Sequence, residues 1–375
     1  MGAEISFAHR TFVWPGKAAV HCVIVGLDRR GTEPAKKRLF SYPESKGAPV
    51  ETEAAAITAY LFDAKGADRH LVVESASAPI NGAPPLVSGT QPIDDGNYIL
   101  NAAAKAELTR LHPEAATFLR PFVGSEEYIN GGRRWILALQ DASPMSLRAM
   151  PDLARRMRAV REFRSKSKRV STLAIADTPA VYNVTVLPDR PFLVIPEVSS
   201  ERRDYVPIGW LEPPTIPSNL VRVLLDATPW HFGVLTSAMH MSWLRHTGGR
   251  LESRYRYSIG LVYNSFPWPD DVGPAQVAKI EALAQAVLDA RTLAKNATST
   301  LADLYDPDTM PAELRRAHRE LDAAVDRLYA PRGFTDDRTR VEHLFGRYQR
   351  LVEPIRAAAA ANRRTARRKR AATNA

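Results

Sequence analysis

At Pro267-Trp268-Pro269 the periodicity of the chain changes, and one class of secondary structure cannot serve both sides of the break. Beyond it, KIEALAQAVLDARTLA (279–294) and ELRRAHRELDAAVDRLY (313–329) carry apolar residues at helical spacing and almost no β-branched runs. Leu314, Ala317, Leu321, Ala324, Val325 and Leu328 fall along one stripe, with Arg and Glu on the other face, so core packing accounts for them. A third helix, TRVEHLFGRYQRLV (339–352), is expected to close a small bundle. Before the break, helix-like stretches such as ETEAAAITAYLFDA (51–64) alternate with β-like runs such as RHLVVES, FLVIPEV and SIGLVYNSF. Long loops at GAPPLVSGTQPIDDGNY and WLEPPTIPSN add Pro and Gly punctuation, a texture that fits an α+β domain whose function lies partly in its connections. The opening runs ISFAHRTFVW and AAVHCVIVGL read as two strands joined at Pro15-Gly16.

The 375 residues carry a formal charge of +10, which attracts polyanions, nucleic acid first among them. The charge is clustered: residues 148–169 hold nine Arg or Lys against two acids, and residues 353–375 hold seven against one. A solvated helix face and a disordered basic tail are the structural readings of these clusters. No apolar run is long enough to span a bilayer, the first residues lack the pattern of a secretory signal, and the cytoplasm is the expected address. The single cysteine, Cys22, excludes an internal disulfide and a cysteine-based zinc site, and its strand-like surroundings point to a buried thiol.

Motifs for chemistry are missing. There is no glycine-rich loop for a nucleotide or methyl donor, no G-x-x-x-x-G-K-[ST], and no Asn/Asp-Pro-Pro-aromatic tetrapeptide. His240 and His246 do not share a helix face, and the acid pairs Asp94-Asp95 and Asp336-Asp337 sit beside turn residues as loop acids or caps. No catalytic, metal or cofactor residue is therefore assigned within this chain.

Several long phrases occur in order along the chain: PIDDGNYIL, RPFVGSEEYINGGRRWILAL, MRAVREFRSKSKR, SERRDYVPIGWL, HMSWLR within 230–258, VYNSFPWP, TLADLYDPDTMP and RRAHRELDAAVDRLY. Together they resemble the C-terminal half of single-chain restriction-modification enzymes of the MmeI group, which combine a nuclease, an adenine-N6 methyltransferase and a target-recognition domain. The resemblance implies an α+β chain in four parts. Residues 1–28 would be the last strands of a truncated class I methyltransferase sheet, 29–268 a mixed α/β DNA target-recognition domain, 269–352 a small all-α domain, and 353–375 a basic disordered tail. It implies double-stranded DNA as partner. S-adenosylmethionine, and Mg2+ for the nuclease, belong to the full-length enzymes, since no position here matches their motifs.

The segment GRLESRYRYS (249–258) resembles the place where such enzymes read a base pair. Glu252, Arg254 and Arg256 alternate, which on an extended strand sends them to one face and Tyr255 and Tyr257 to the other. A carboxylate accepts from N4 of cytosine and an Arg donates twice to O6 and N7 of guanine, so this face suits a C·G pair. An i,i+2 charge pair on an exposed strand is the plainer alternative. Asn219 and Leu220 match a second contact region: Asn219 suits adenine and Leu220 a thymine methyl, while a helix N-cap by Ser218 or Asn219 ahead of LVRVLLDA is equally good physics. Arg202, Arg203, Lys166, Lys168 and Arg169 suit phosphates, although Arg202 has Glu201 and Asp204 as internal partners at hand. Trp230, Phe232, Met239, Met241 and Trp243 are core residues in this reading, and His240 among them a hydrogen-bonded core histidine.

Two other functions remain open at the level of sequence. The chain would serve as the specificity subunit of a split enzyme, joining a separate methyltransferase or nuclease polypeptide through the strands at 1–28. Or it would be a scaffold that binds nucleic acid without sequence preference through its basic tail.

Overall fold

The apolar run FLVIP (192–196), bounded by turn residues, forms a fully buried strand around which one of four small sheets is built. The computed structural model describes residues 2–17, 20–42, 47–64, 70–293 and 296–373, with side chains described as far as residue 358. These fall into two units, one made of Met1–Asn81, Ser265–Trp268 and Phe334–Ala375, the other of Gly82–Asn264 and Pro269–Gly333. The architecture is α+β, with mixed sheets followed by helices, as the sequence indicates.

In the first unit, β1 (Ala3–Val13) pairs antiparallel with β2 (His21–Arg29) and parallel with β3 (Lys37–Ser41), which pairs with β4 (Val50–Ala54), giving the order β2-β1-β3-β4. Two expectations change here. A boundary after residue 28 would cut this sheet in half, because β1 carries β3 on its other edge. The segment 51–64 is not helical: β4 uses its β-compatible Val50-Glu51-Thr52, and an Ile57–Asp63 bridge turns the rest back. RHLVVES likewise forms no strand among its described residues. β2 is an edge with exposure on both faces, so Val23 and Leu27 are exposed and Cys22 is only partly covered rather than buried.

The long helix α11 (Asp337–Thr373) belongs to this unit rather than to a bundle with 279–329. Its Phe345 ring packs on Tyr60 and Phe62, and the Tyr348 hydroxyl accepts from the Glu74 amide. The helix runs through the segment expected to be a disordered tail. The run of alanines after Arg356 explains why, since alanine has the best intrinsic helix propensity.

In the second unit, β5 (Val87–Ser88), β9 (Phe192–Pro196), β11 (Gly209–Leu211) and β13 (Val221–Leu224) form the order β11-β9-β13-β5. A second sheet, β12-β7-β8-β6, joins β6 (Ile99–Leu100), β7 (Leu119–Val123), β8 (Trp135–Leu137) and β12 (Ile216–Pro217). Around them lie α1 (Ala102–Leu111), α2 (Ser125–Asn130), α3 (Pro144–Ala149), α4 (Pro151–Ser165) and α5 (Val170–Leu173). Tyr98, Ile136, Leu137, Leu139, Met150, Leu153 and Val160 form a core beneath α4. LVRVLLDA is strand β13, so no helix follows Ser218 for it to cap; its Oγ instead accepts from the Leu220 amide in a local turn.

Further along this unit come α6 (Pro229–Leu235), α7 (Ala238–Thr247), α8 (Pro274–Arg291), α9 (Leu301–Leu304) and α10 (Ala312–Tyr329). The sequence stripe of α10 is its buried face, and α8 packs on both α10 and α6. SIGLVYNSF is not a strand: Ile259–Tyr263 is a π-helical turn. The last sheet, β10-β15-β14, is made by β10 (Val198–Ser199), β14 (Gly249–Leu251) and β15 (Arg254–Arg256). Phe232, Met239, Met241, Trp243 and His240 are buried as expected, while Trp230 is not among the buried residues.

Candidate nucleic-acid interface

β14 and β15 form a hairpin closed by the two residues Glu252 and Ser253, with Leu251 opposite Arg254, Arg250 opposite Tyr255 and Gly249 opposite Arg256. Glu252 therefore sits in the turn and not on the strand, at φ +57°. Two-residue hairpin loops need a left-handed first residue, usually Gly or Asn, and a glutamate there carries strain of about 1 kcal/mol. Two of the three charged side chains meet, Arg254 donating to Glu252 Oε2 at 2.8 Å, and Arg256 is exposed on the same face of β15 as Arg254. The tyrosines on the opposite face of β15 are buried. Tyr255 is 6% exposed and donates to the Glu201 carbonyl, and Tyr257 is 1% exposed and shares a 2.7 Å hydrogen bond with His240 Nε2. Burial pushes the His240 pKa down to about 3, so the ring is neutral and serves as an anchor.

Beneath the exposed face lies Glu197, in the link between β9 and β10. Its Oε1 accepts from Arg222 Nη2 at 2.7 Å and from Arg256 Nε at 3.2 Å. Arg222 is held further by the Ser88 hydroxyl and the Asn219 carbonyl, and burial lowers its pKa. Beside this group a cavity of about 330 Å³ is lined by Ser125, Glu126, Glu197, Arg203, Leu220 and Arg254 among others. It brings together Arg254, Leu220 and Arg203, which sequence reading placed in two functional classes. Leu220 is exposed, and its carbonyl accepts from Ser125 Oγ and from the Glu197 amide. Asn219 is half-buried with its amide donating to Thr90, and it does not line the cavity. Arg203 donates to Ser199 Oγ, and burial lowers its pKa.

The remaining cations are arranged differently. Arg202 pairs with Asp308 and lies 3.9 Å from Asp306, rather than turning to its sequence neighbours. Lys166 makes an i,i+4 pair with Glu162 at 2.7 Å, and Lys168 and Arg169 are exposed just beyond α4. None of these three lysine and arginine side chains lines the cavity or bonds to the hairpin among the described residues.

Two residues escaped the sequence reading. Glu197 carries no local signal, because its partners lie on other strands. Arg164 looked like one more cation of the 148–169 cluster, yet it is fully buried and donates to the carbonyls of Pro92, Ile93, Ile175, Thr178 and Val181. Its position on the Leu153/Val160 face of α4 was the available clue. Among the described residues no cluster of three His, Cys, Asp or Glu side chains is placed to hold a metal ion, and no helix is long and apolar enough to cross a membrane.

The family model described as "MmeI, target recognition domain" matches residues 67–270, and "MmeI, C-terminal domain" matches 272–356. "DNA methyltransferase A" of Bacillus subtilis (strain 168) is 36% identical over 356 residues, 94% of this chain and 39% of that protein. The type IIL restriction-modification enzyme MmeI, solved in complex with DNA, is 40% identical with a TM-score of 0.83, over 94% of this chain and 46% of that one. The chain thus spans less than half the length of either relative.

Proposed function

This chain belongs to the family of MmeI target recognition domains, and from that premise we propose that it recognises a specific sequence in double-stranded DNA through the β14–β15 hairpin. The observation that carries the reading is the hairpin itself: Glu252, Arg254 and Arg256 gathered on an exposed ribbon whose other face is anchored by Tyr255 and Tyr257. A two-stranded ribbon fits the major groove, where each base pair shows a distinct donor and acceptor pattern. Held 2.8 Å apart, Glu252 and Arg254 suit the cytosine amino group and the guanine O6/N7 edge of one pair. Leu220 and Asn219 supply further base contacts, and Arg203, Arg202, Lys166, Lys168 and Arg169 contact phosphates. S-adenosylmethionine and Mg2+ act in this reading within the longer enzymes, where a recognition module delivers an adenine to the methyltransferase and orients the nuclease.

The test is selection from a pool of randomised duplexes. Glu252→Lys combined with Arg254→Asp is expected to invert the preferred base pair at one position and leave the others unchanged. Even weakening on every sequence, with steep salt dependence and little preference, refutes the reading and leaves non-specific binding in its place.

A second reading, the specificity subunit of a split enzyme, is favoured by β2, an edge strand with Val23 and Leu27 exposed. Such an edge is a template for pairing with another chain. Co-purification with a separately encoded methyltransferase polypeptide, lost on Val23→Lys and Leu27→Lys, tests it.

A further inference from the structure

The hairpin register places more than the three charged residues on the outward face. Residues directly opposite in an antiparallel pair share a face, so Gly249 lies on the side of Arg256 and Leu251 on the side of Arg254. Arg250 lies on the other side, its guanidinium stacked 4.1 Å from the centre of the Tyr255 ring. β14 is the edge of its sheet, so nothing in that sheet covers it beyond Gly249 and Leu251.

The two adjacent glycines have different reasons to exist. At Gly248 an added Cβ would meet the Leu244 carbonyl oxygen at 2.6 Å, so the fold itself requires glycine. At Gly249 an added Cβ would meet no atom of the described residues within 4 Å, and its φ lies outside the left-handed region. Neither sterics nor backbone conformation within the protein calls for a missing side chain at this strand position, where glycine is a poor choice. Leu251 is likewise not a core residue: it is 44% exposed at the ribbon tip, next to Glu252 in sequence and opposite Arg254, and belongs to none of the apolar clusters named among the described residues.

We propose that β14 is a second reading strand, with Gly249 the point where a base edge approaches the backbone beside Arg256, and Leu251 an apolar contact for a thymine methyl beside Arg254. The chemistry follows from the groove. The thymine C5-methyl is the apolar group that the major groove offers, and a leucine between charged neighbours favours it over an amino group. A guanidinium reaching for a base from β15 also needs the space that a side chain at 249 would fill. This inference rests on the hairpin reading DNA and adds two specificity-determining residues to it.

The experiment uses the full chain with Gly249→Ala, Gly249→Val, Leu251→Ala and, in parallel, Arg254→Ala. Each is followed by thermal unfolding and by selection and affinity measurement on randomised duplexes. The Gly249 variants are expected to unfold at the same or higher temperature, because the added atoms enter open space. They should bind the preferred duplex at least about fivefold more weakly, the size of one lost base contact, with Val worse than Ala. Leu251→Ala should lower the preference for thymine at one position by about fourfold, the equivalent of one buried methyl, and leave other positions alone. If Gly249→Val binds like the parent, or Leu251→Ala relaxes no single position, the second strand does not read DNA and the inference is overturned. If Arg254→Ala also changes no position, it is the hairpin's recognition of DNA that has failed.

Discussion

Removing the charge of Glu197 should separate the two arginines it holds, because one is buried and the other is not. In Glu197→Gln the side chain keeps its volume and one acceptor, but Arg222, 11% exposed, loses the carboxylate at 2.7 Å. Breaking a buried pair from one side costs about 3–5 kcal/mol. Arg222 retains the Ser88 hydroxyl and the Asn219 carbonyl, which brings the expected loss to about 2–3 kcal/mol. Arg256→Ala removes the other, solvent-screened arm, at 3.2 Å with Arg256 57% exposed, and should cost no more than about 1 kcal/mol. Urea unfolding followed by tryptophan fluorescence reads this difference, since four of the six tryptophans, Trp135, Trp210, Trp230 and Trp243, lie in the second unit. Equal losses for the two variants, or a loss below about 1 kcal/mol for Glu197→Gln, would show that Glu197 is not the buried keystone of this network.

Arg164→Met should destabilise the second unit by about 3–5 kcal/mol in the same assay, as five carbonyls lose their donor, whereas Lys166→Ala two residues away should change stability by less than about 0.5 kcal/mol. Comparable effects would remove the distinction between clamp and surface charge. His240, with a pKa of about 3 in the fold against 6.5 in the unfolded chain, contributes stability that is complete above about pH 6.5 and falls as pH drops towards about 3. The slope for this group approaches about 1.4 kcal/mol per pH unit, and His240→Gln should flatten it; an unchanged pH profile would contradict a neutral buried ring.

What the sequence disclosed, and what it hid, divides by the range of the interactions. The alternation of Arg254 and Arg256 with Tyr255 and Tyr257 was legible because period-two patterning is local, and the helical stripe of α10 for the same reason. The turn at Glu252 was hidden because Leu-Glu-Ser-Arg contains no Asn-Gly or Asp-Gly signal, so a strand continuing through 252 reads equally well. Arg164 and Arg202 were hidden because a cation's partner is set by tertiary structure: one finds five carbonyls and the other an aspartate more than a hundred residues away. The unit boundary escaped because β3 and β4 have weak patterns that only the pairing with β1 makes meaningful.

The position of the hairpin depends on residues that never reach its exposed face. β10 pairs with β15, and the Tyr255 hydroxyl holds the Glu201 carbonyl, so the loop 200–205 is one wall of the site. That loop is fixed from α10. Tyr205 donates to Asp322 Oδ2 at 2.6 Å and stacks on His318 with ring centres 4.0 Å apart, while Asp322 Oδ1 accepts from the Ala238 amide at the start of α7. Arg291 on α8 donates to the Tyr305 hydroxyl, and since a guanidinium only donates, the Tyr305 proton is left for His318 Nε2 at 2.8 Å. Burial and the nearby Arg291 charge both hold His318 neutral, as that arrangement requires. Helices 274–329, which match the C-terminal domain family model, thus share one compact unit with most of the recognition domain and buttress it. Their buried polar network continues into the loop beside Arg203, and a chain cut off at residue 270 would keep that wall of the cavity but lose the α10 contacts that fix it.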